Sequence, residues 1–377
     1  MTTMNKSNTT RLDHAPMILP GAFFALILAS LSGADFLSLP HDAAKTGGAS
    51  GYWGVLVAGI YAFVFVLLLA FIKRRFPNQN IIQTSRVVLG KPLGVACNLI
   101  FLGVFFSWLV IGVRDAGELV LTYLLVRTPL WVVESFFLVC LGYIAVNGLL
   151  AVARVASFAV LPTLLFRFLL TVLGFQDFAV SHILPLFSTK PAAYFQSGLI
   201  LAHAFVPLGA ILLIYPQLTK GKKLVPMTIG ATGVAVFLFF TTVLGTIGVF
   251  GAPLTERLIW PNLVLVHRIS IPFLVLEQVG LLFLIVWLTI FLIAGSFYFS
   301  VIAAGLKQQF PKLSFRWTVI GLLILAGGFG LLIPNGAIVN WLFDRVRHWI
   351  FIPVVAYPLV IYLVALVRGI DHSIAQS

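Results

Sequence analysis

Of the 377 residues, 60% are hydrophobic and only 9% are charged, against roughly 25% charged in an ordinary soluble domain. A soluble fold cannot be assembled from that mixture, and no polar segment is long enough to form a separate soluble domain. The 24 Lys and Arg against 11 Asp and Glu give a pI near 10, but the cations lie in short clusters between long apolar runs. A nucleic-acid binder would gather them into one stripe, so no nucleic-acid partner is expected.

The hydrocarbon core of a bilayer is about 30 Å thick, so a crossing helix needs about 20 apolar residues. A polar tail covers 1–16; it lacks the short apolar region and cleavage site of a secretory signal and is expected to be retained. Ten apolar stretches follow, at about 17–44, 51–72, 93–124, 129–149, 151–173, 196–218, 224–250, 272–306, 317–334 and 349–367, and a second tail covers 368–377. The expected fold class is an all-α integral membrane protein with ten transmembrane helices in a single domain over 17–367. At about 1.5 Å per residue, the third and eighth stretches exceed the bilayer and must tilt or project beyond it.

An even number of crossings puts both termini on one side. Lys and Arg accumulate in cytoplasmic loops. Fourteen of them lie on the side of the termini: Lys6, Arg11, Lys73, Arg74, Arg75, Arg86, Lys91, Lys220, Lys222, Lys223, Lys307, Lys312, Arg316 and Arg368. Seven lie on the other: Lys45, Arg127, Lys190, Arg257, Arg268, Arg345 and Arg347. Both termini are therefore expected in the cytoplasm, with Arg114, Arg154 and Arg167 in or near the membrane. Cys97 and Cys140 sit in apolar runs as small core residues. Neither their count nor their spacing suits a disulfide framework or a metal site, and no cofactor is expected.

Two of the stretches are interrupted. In the first, Leu31-Ser32-Gly33-Ala34-Asp35-Phe36-Leu37-Ser38-Leu39-Pro40 puts small residues, a carboxylate and a proline into an apolar helical pattern. In the sixth, Pro207-Leu208-Gly209 is followed by Leu213-Ile214-Tyr215-Pro216. From Gly33 to Pro40 and from Gly209 to Pro216 is seven positions in each case. Breaks at corresponding places five helices apart point to an inverted five-plus-five repeat, about 17–173 and 196–367, with a binding site at the breaks. Non-helical backbone at that depth is tolerated only where it lines a cavity or is buried in protein. At the first break the free N–H groups of Gly33, Ala34 and Asp35 carry the positive end of the second half-helix, a seat for an anion such as a ligand carboxylate.

The motifs around these breaks resemble one family. Gly33-Ala34 and Leu37-Ser38-Leu39-Pro40 are followed by Asp42, Gly51 and Trp53, then Phe76-Pro77, Leu89-Gly90-Lys91, and Arg114 with Glu118 ahead of Leu124 to Pro129, read as LLVRTP. Arg154, then Thr255 to Asn262 read as TERLIWPN, and Glu277 ten residues before Trp287 complete the set. On these the chain is identified as similar to the spore germination permeases, the B subunits of nutrient germinant receptors in the amino acid, polyamine and organocation superfamily. It departs from their pattern at Asp35, Ser157 and Gly280. The resemblance implies a LeuT-like fold with broken helices 1 and 6 and recognition of a small nutrient, an amino acid or a sugar-related molecule. It also implies a place in the spore inner membrane beside an A-type membrane subunit and a C-type lipoprotein subunit. The alternative on the same scaffold is a proton- or ion-coupled amino acid or cation symporter.

By analogy with that fold, Ser32, Gly33, Ala34 and Asp35 of the first span line the ligand site. Val104 and Trp108 of the third, Phe205, Val206, Pro207 and Leu208 of the sixth, and Thr289 and Ile293 of the eighth complete it. A carboxylate near mid-membrane costs at least about 2.5 to 3.5 kcal/mol unless paired. Asp35 is thus either a counter-charge or proton carrier, or a cap on the second half-helix; as a cap it occupies the anion seat, which shifts the preference toward a ligand held by a cationic group. Arg114 and Glu118, four apart with Asp115 adjacent, share a helical face and read as a structural pair near the outer mouth rather than a ligand clamp. Arg167 needs a partner, and Asp35, Asp115 and Glu118 are the deep carboxylates of its half. His203, just before the second break, reads as a packing residue or a proton sensor. There is no Cys/His ligand cluster, no phosphate-binding glycine loop and no helical His-Glu-x-x-His pair, so no enzymatic activity is expected.

Overall fold

The computed structural model describes residues 18–33, 36–187, 189–217, 223–269 and 279–371. Ala34, Asp35 and Glu277 lie outside the described residues, as do Lys220, Lys222 and most of both tails. Among the described residues every regular element is a helix. In chain order they are α1 (Pro20–Ser32), α2 (Leu39–Gly47), α3 (Tyr52–Arg75), α4 (Ile81–Leu89), α5 (Lys91–Tyr123), α6 (Leu130–Ala145), α7 (Leu149–Leu173) and α8 (Pro191–Leu201). There follow α9 (Pro207–Ile214), α10 (Leu224–Phe250), α11 (Ala252–Thr255), α12 (Pro261–His267), α13 (Val279–Gln309), α14 (Phe315–Leu331), α15 (Gly336–Trp349) and α16 (Phe351–Val367).

Six helical runs are long and apolar enough to cross a bilayer: α3, α5, α7 with the turn behind it, α10, α13, and α15 with α16. The pair Pro191–Phe205 and Pro207–Gln217, bent by 47°, makes a seventh if taken as one broken span, and α1, α6 and α14 are shorter apolar helices. Large apolar side chains face outward along these elements, among them Phe158 at 87% exposure and Ile324 at 70%. Such a surface is stable only against lipid or another apolar partner, and the chain is a multi-pass membrane protein.

Burial separates the helices into two kinds. Most show one buried face and one apolar exposed face. In α1, by contrast, Ala25 to Ser32 are all buried, and so is every residue of α9. A helix buried on all sides lies inside a bundle, and α1 packs on α7, α10 and α13 together. The two half-helices beside the breaks are thus the centre of the protein. Glycines allow the surrounding helices to approach closely. A side chain on Gly54 would meet Ser197 and Leu201 of α8, one on Gly198 would meet Val57 of α3, and one on Gly33 would meet Ala294 of α13.

The structure corrects two expectations. The tenth span starts well before residue 349: Asn335 caps α15, its side chain accepting from the Ile338 N–H at 3.0 Å. The helix then runs through Arg347 to Ile350, where α16 takes over. Arg347 is therefore buried inside the bundle and does not belong to a loop. The second break also lies earlier than the Gly209–Pro216 spacing suggested. Helix α8 stops at Leu201, a 3-10 turn covers Ala202–Phe205, and Gly209 sits within α9, where a side chain would meet Val354 and Phe105. Pro207 explains the position, since it has no N–H to donate and its ring disfavours a regular turn before it.

The corner between α2 and α3 is equally tight. A methyl group on Gly51 would stand 2.1 Å from the Ala43 carbonyl oxygen, backbone that cannot step aside alone. Gly51→Ala is expected to lower the melting temperature of the detergent-purified protein, with a loss of about 1–3 kcal/mol for overpacking; an unchanged melting temperature would contradict this contact.

Candidate functional site

At the first break, α1 ends at Ser32 and Gly33, and α2 restarts at Leu39 after a turn over Phe36 to Ser38. Pro40 stands in the first turn of α2, where its missing N–H costs nothing. Ser38 takes the N-cap position but does not cap the helix through its side chain. Instead its hydroxyl accepts from Arg347 Nη2 of α15 at 2.8 Å. The Ser32 hydroxyl is buried with no hydrogen-bond partner among the described residues. The Ser32 carbonyl receives Arg167 Nη1 of α7 at 3.5 Å.

At the second break, the 3-10 turn is held by the Val206 N–H donating to the His203 carbonyl at 3.1 Å. His203 is fully buried, and its Nδ1 lies 2.6 Å from the Ile200 carbonyl. Since a carbonyl only accepts, Nδ1 carries a proton, which turns Nε2 toward Asp42 Oδ2 at 3.7 Å.

Beside the breaks lies a small cavity of about 20 Å³, lined by Ser30 of α1, Trp108, Leu109 and Gly112 of α5, Pro207 of α9, and Phe291, Ala294, Gly295 and Tyr298 of α13. The first, third, sixth and eighth spans contribute to it. Of the residues expected there, Trp108 and Pro207 are in the lining, while Gly33 packs behind it on Ala294. Phe205, Val206 and Leu208 are buried in the surrounding core. From α13 the cavity takes Phe291, Ala294, Gly295 and Tyr298 in place of Thr289, which donates to the Ile285 carbonyl, and Ile293, which is buried elsewhere. Val104 is half-buried, one turn below Trp108.

Beyond Trp108 of the lining is a charged cluster that sequence reasoning missed. Arg347 Nη1 lies 3.2 and 3.1 Å from the two carboxylate oxygens of Asp42, and its guanidinium also lies over Phe343, 4.6 Å from the ring centre. Trp108 stacks edge-on against Phe343 at 5.5 Å and faces His203 at 6.0 Å. Lys45 and Asp344, at 2.9 Å, repeat the link between α2 and α15 at a more exposed level. The signal in the sequence is Asn335-Gly336 followed by Val339, Phe343 and Arg347, the buried residues of α15 at four-residue spacing. Read as a continuation of the tenth span, that stripe carries Arg347 inward.

The other charges fall into place around it. Arg114 Nη1 is 2.6 Å from Glu118, Nε is 3.6 Å from Glu134 of α6, and the guanidinium also donates to the Ile333 carbonyl at 3.2 Å. The Arg114–Glu118 spacing thus does bring the two together, with Glu134 as an unforeseen third member; Asp115 is buried beside them. Glu118 is taken by Arg114. Arg167 is buried, lies 2.9 Å over the Phe36 ring, and leaves Nε and Nη2 without a partner among the described residues. His41, Asp42 and Asp344 bring potential ligand atoms within 4.8 Å of one another. Both carboxylates already neutralise Arg347 and Lys45, which leaves no net negative charge for a metal ion.

A buried pair broken from one side leaves an uncompensated charge, at a cost of about 3–5 kcal/mol. Asp42→Asn and Arg347→Met are each expected to destabilise the purified protein by that order, and the double variant to recover most of the loss in a double-mutant cycle of thermal unfolding. Additive losses would contradict the pairing.

Comparison with known proteins agrees with this architecture. A crystal structure of MhsT in complex with L-phenylalanine superposes with a TM-score of 0.67 over 93% of this chain and 90% of that one, at 16% identity. That likeness shows the fold, the LeuT-like arrangement. Spore germination protein A2 of Bacillus subtilis (strain 168) is 24% identical over 92% of this chain and 95% of its own length. Spore germination protein B2 of the same organism is 25% identical over 70% and 71%, and spore germination protein GerQB of Bacillus cereus is 24% identical over 77% and 80%. The family model described as spore germination protein matches residues 17–331. The chain belongs to the spore germination protein family.

Proposed function

We propose that this protein is the ligand-recognising membrane subunit of a spore germinant receptor, binding a small nutrient, an amino acid, between its broken helices. The observation that carries this reading is the cavity that α1, α5, α9 and α13 close beside the two breaks. The names of the relatives support the germination role, and the bound L-phenylalanine of the MhsT structure supports an amino acid as ligand. The same reading holds that the chain crosses the membrane ten times, as two inverted repeats over about 17–173 and 196–367. The seven longer spans are joined by α1 with α2, by α6 and by α14. The basic end faces the cytoplasm, the membrane is the spore inner membrane, and an A-type and a C-type subunit are the partners.

A cavity of about 20 Å³ holds about one water molecule, so an amino acid enters only when the chamber opens. The two non-helical segments are the natural hinges, because they have the fewest helical hydrogen bonds to break. A ligand shifts the equilibrium by as much as it prefers one state over the other. Movement of α2 acts on the Asp42–Arg347 and Lys45–Asp344 links to α15, which gives binding a route to the end of the bundle away from the basic side. A symporter on the same scaffold is the second reading, favoured by the MhsT likeness. Nutrient-driven proton or substrate flux in proteoliposomes carrying this chain alone would select it.

Gly112 provides the direct test. It lines the cavity, it is buried, and a side chain there would meet nothing within 4 Å. Gly112→Ala is expected to fold with an unchanged or higher melting temperature, since Ala favours a helix over Gly by about 1 kcal/mol. Gly112→Leu should fill the chamber. With this chain transplanted into a receptor of known response, the nutrient preference of germinating spores should follow the chain, and Gly112→Leu should raise the nutrient concentration needed by more than about tenfold. A germination response indifferent to Gly112→Leu would remove the chamber from the mechanism.

Asp35 is proposed as the counter-charge for the ligand's ammonium group. Losing a hydrogen bond to a charged group costs about 1.5–3 kcal/mol, or about tenfold or more in potency. Asp35→Asn should therefore shift the dose response to amine-bearing nutrients by that factor, and an unshifted response would assign Asp35 to capping alone.

A further inference from the structure

A second and much larger cavity, about 630 Å³, opens at the basic end of the bundle between α4, the start of α7, the end of α9, the last turns of α13 and the start of α14. Its chemistry is one-sided. Arg86 and Lys307 stand in its wall, and among the described residues no Asp or Glu does. Neither cation is hydrogen-bonded or ion-paired to another described residue.

The uncharged polar groups point the same way. Gln83 and Gln308 line the cavity, and the side-chain carbonyl of each already accepts one hydrogen bond. Gln83 Oε1 accepts from the Asn80 N–H at 3.1 Å and Gln308 Oε1 from Asn80 Nδ2 at 2.5 Å. Each glutamine also has its NH₂ group, a donor, to offer the cavity, and Gln217 and the Ser300 hydroxyl add groups that donate or accept. Gly148 and Leu149 also line it. Gly148 takes φ +83°, a conformation that favours glycine, and opens α7 without a side-chain cap, leaving the first N–H groups of a 25-residue helix unsatisfied within it. Two cations, two amide donors and a helix N-terminus converge on a space of ordinary ligand size, and no carboxylate stands among its described lining residues.

We propose that this cavity is a binding site for a phosphate-type oxyanion. Two sources share that chemistry: a free phosphate in the aqueous phase at the basic end, and the headgroup of an anionic phospholipid, which basic pockets between transmembrane helices bind. Each cation near such a group contributes about 1 kcal/mol, close to a fivefold change in affinity.

The test uses the full-length protein in neutral detergent. Its melting temperature is compared in inorganic phosphate and in chloride at matched ionic strength. Phosphatidylglycerol and phosphatidylcholine retained after extraction from mixed vesicles are compared by native mass spectrometry. Phosphate should stabilise over chloride, or phosphatidylglycerol should be retained over phosphatidylcholine. Lys307→Gln, at an exposed position, should weaken the preference about fivefold, and Arg86→Gln with Lys307→Gln about 25-fold. Lys312→Gln, outside the lining, should leave it unchanged. The first preference assigns a free anion and the second a lipid headgroup. Indifference in both comparisons, a preference that survives the double variant, or binding confined to an acidic peptide would overturn the proposal.

Discussion

Backbone N–H and C=O groups have no water to turn to inside a bilayer, so a chain can leave the helix there only where other protein groups close around it. This constraint organises the whole molecule. The two places where the helix is interrupted, before Leu39 and before Pro207, are also the two places where the chain is buried on every side. Around them the protein commits its most expensive groups: a buried guanidinium on the Ser32 carbonyl, another on the Ser38 hydroxyl, and an imidazole on the Ile200 carbonyl. Lipid-facing surface elsewhere needs only apolar side chains; the centre needs donors.

The two ends of the bundle are closed by different chemistry. Away from the basic end, ion pairs link the elements: Asp42 with Arg347, Lys45 with Asp344, Arg114 with Glu118 and Glu134. At the basic end no ion pair links the elements named among the described residues, and hydrogen bonds serve. Asn80 reaches the Leu213 carbonyl at 3.0 Å, Asn98 joins Ser85, Ile82 and Gln309, and the Tyr215 hydroxyl donates to the Phe76 carbonyl at 2.7 Å. The guanidinium groups of Arg75 and Arg368 add charge-assisted bonds to the carbonyls of Ile370 and Val88. The excess of Lys and Arg at this end therefore adds positive potential. A membrane topology signal and an anion-attracting cavity follow from the same imbalance.

Much of the fold was legible because lipid exposure writes long apolar runs, and Gly33 with Pro40 marked the first break correctly. The second break was misplaced because Gly209 and Pro216 mimic the first motif in spacing, whereas the physical cause is Pro207, with the chain before it tightened into the 3-10 turn Ala202–Phe205. The four spans that enclose the cavity followed from the fold, but not the faces: Thr289 and Ile293 sit beside, and not on, the stripe of Phe291, Ala294 and Tyr298. Asp42 and Arg347 were hidden for a different reason. They are 305 residues apart, and polar residues flanking α15 made its first half resemble a loop. Pairings of that range depend on how helices assemble, which hydropathy along the chain does not encode.

The most direct measurement is a density map of the purified protein, or of its complex with partner subunits, obtained with a saturating amino acid that triggers the response. Ligand density beside Gly112, between Ser30 and Pro207, with the half-helices α2 and α9 displaced from their closed positions, is the expected result. Ligand bound at any other place, with the chamber lined by Trp108, Gly112 and Phe291 still too small to hold it, would contradict a chamber made by the two breaks.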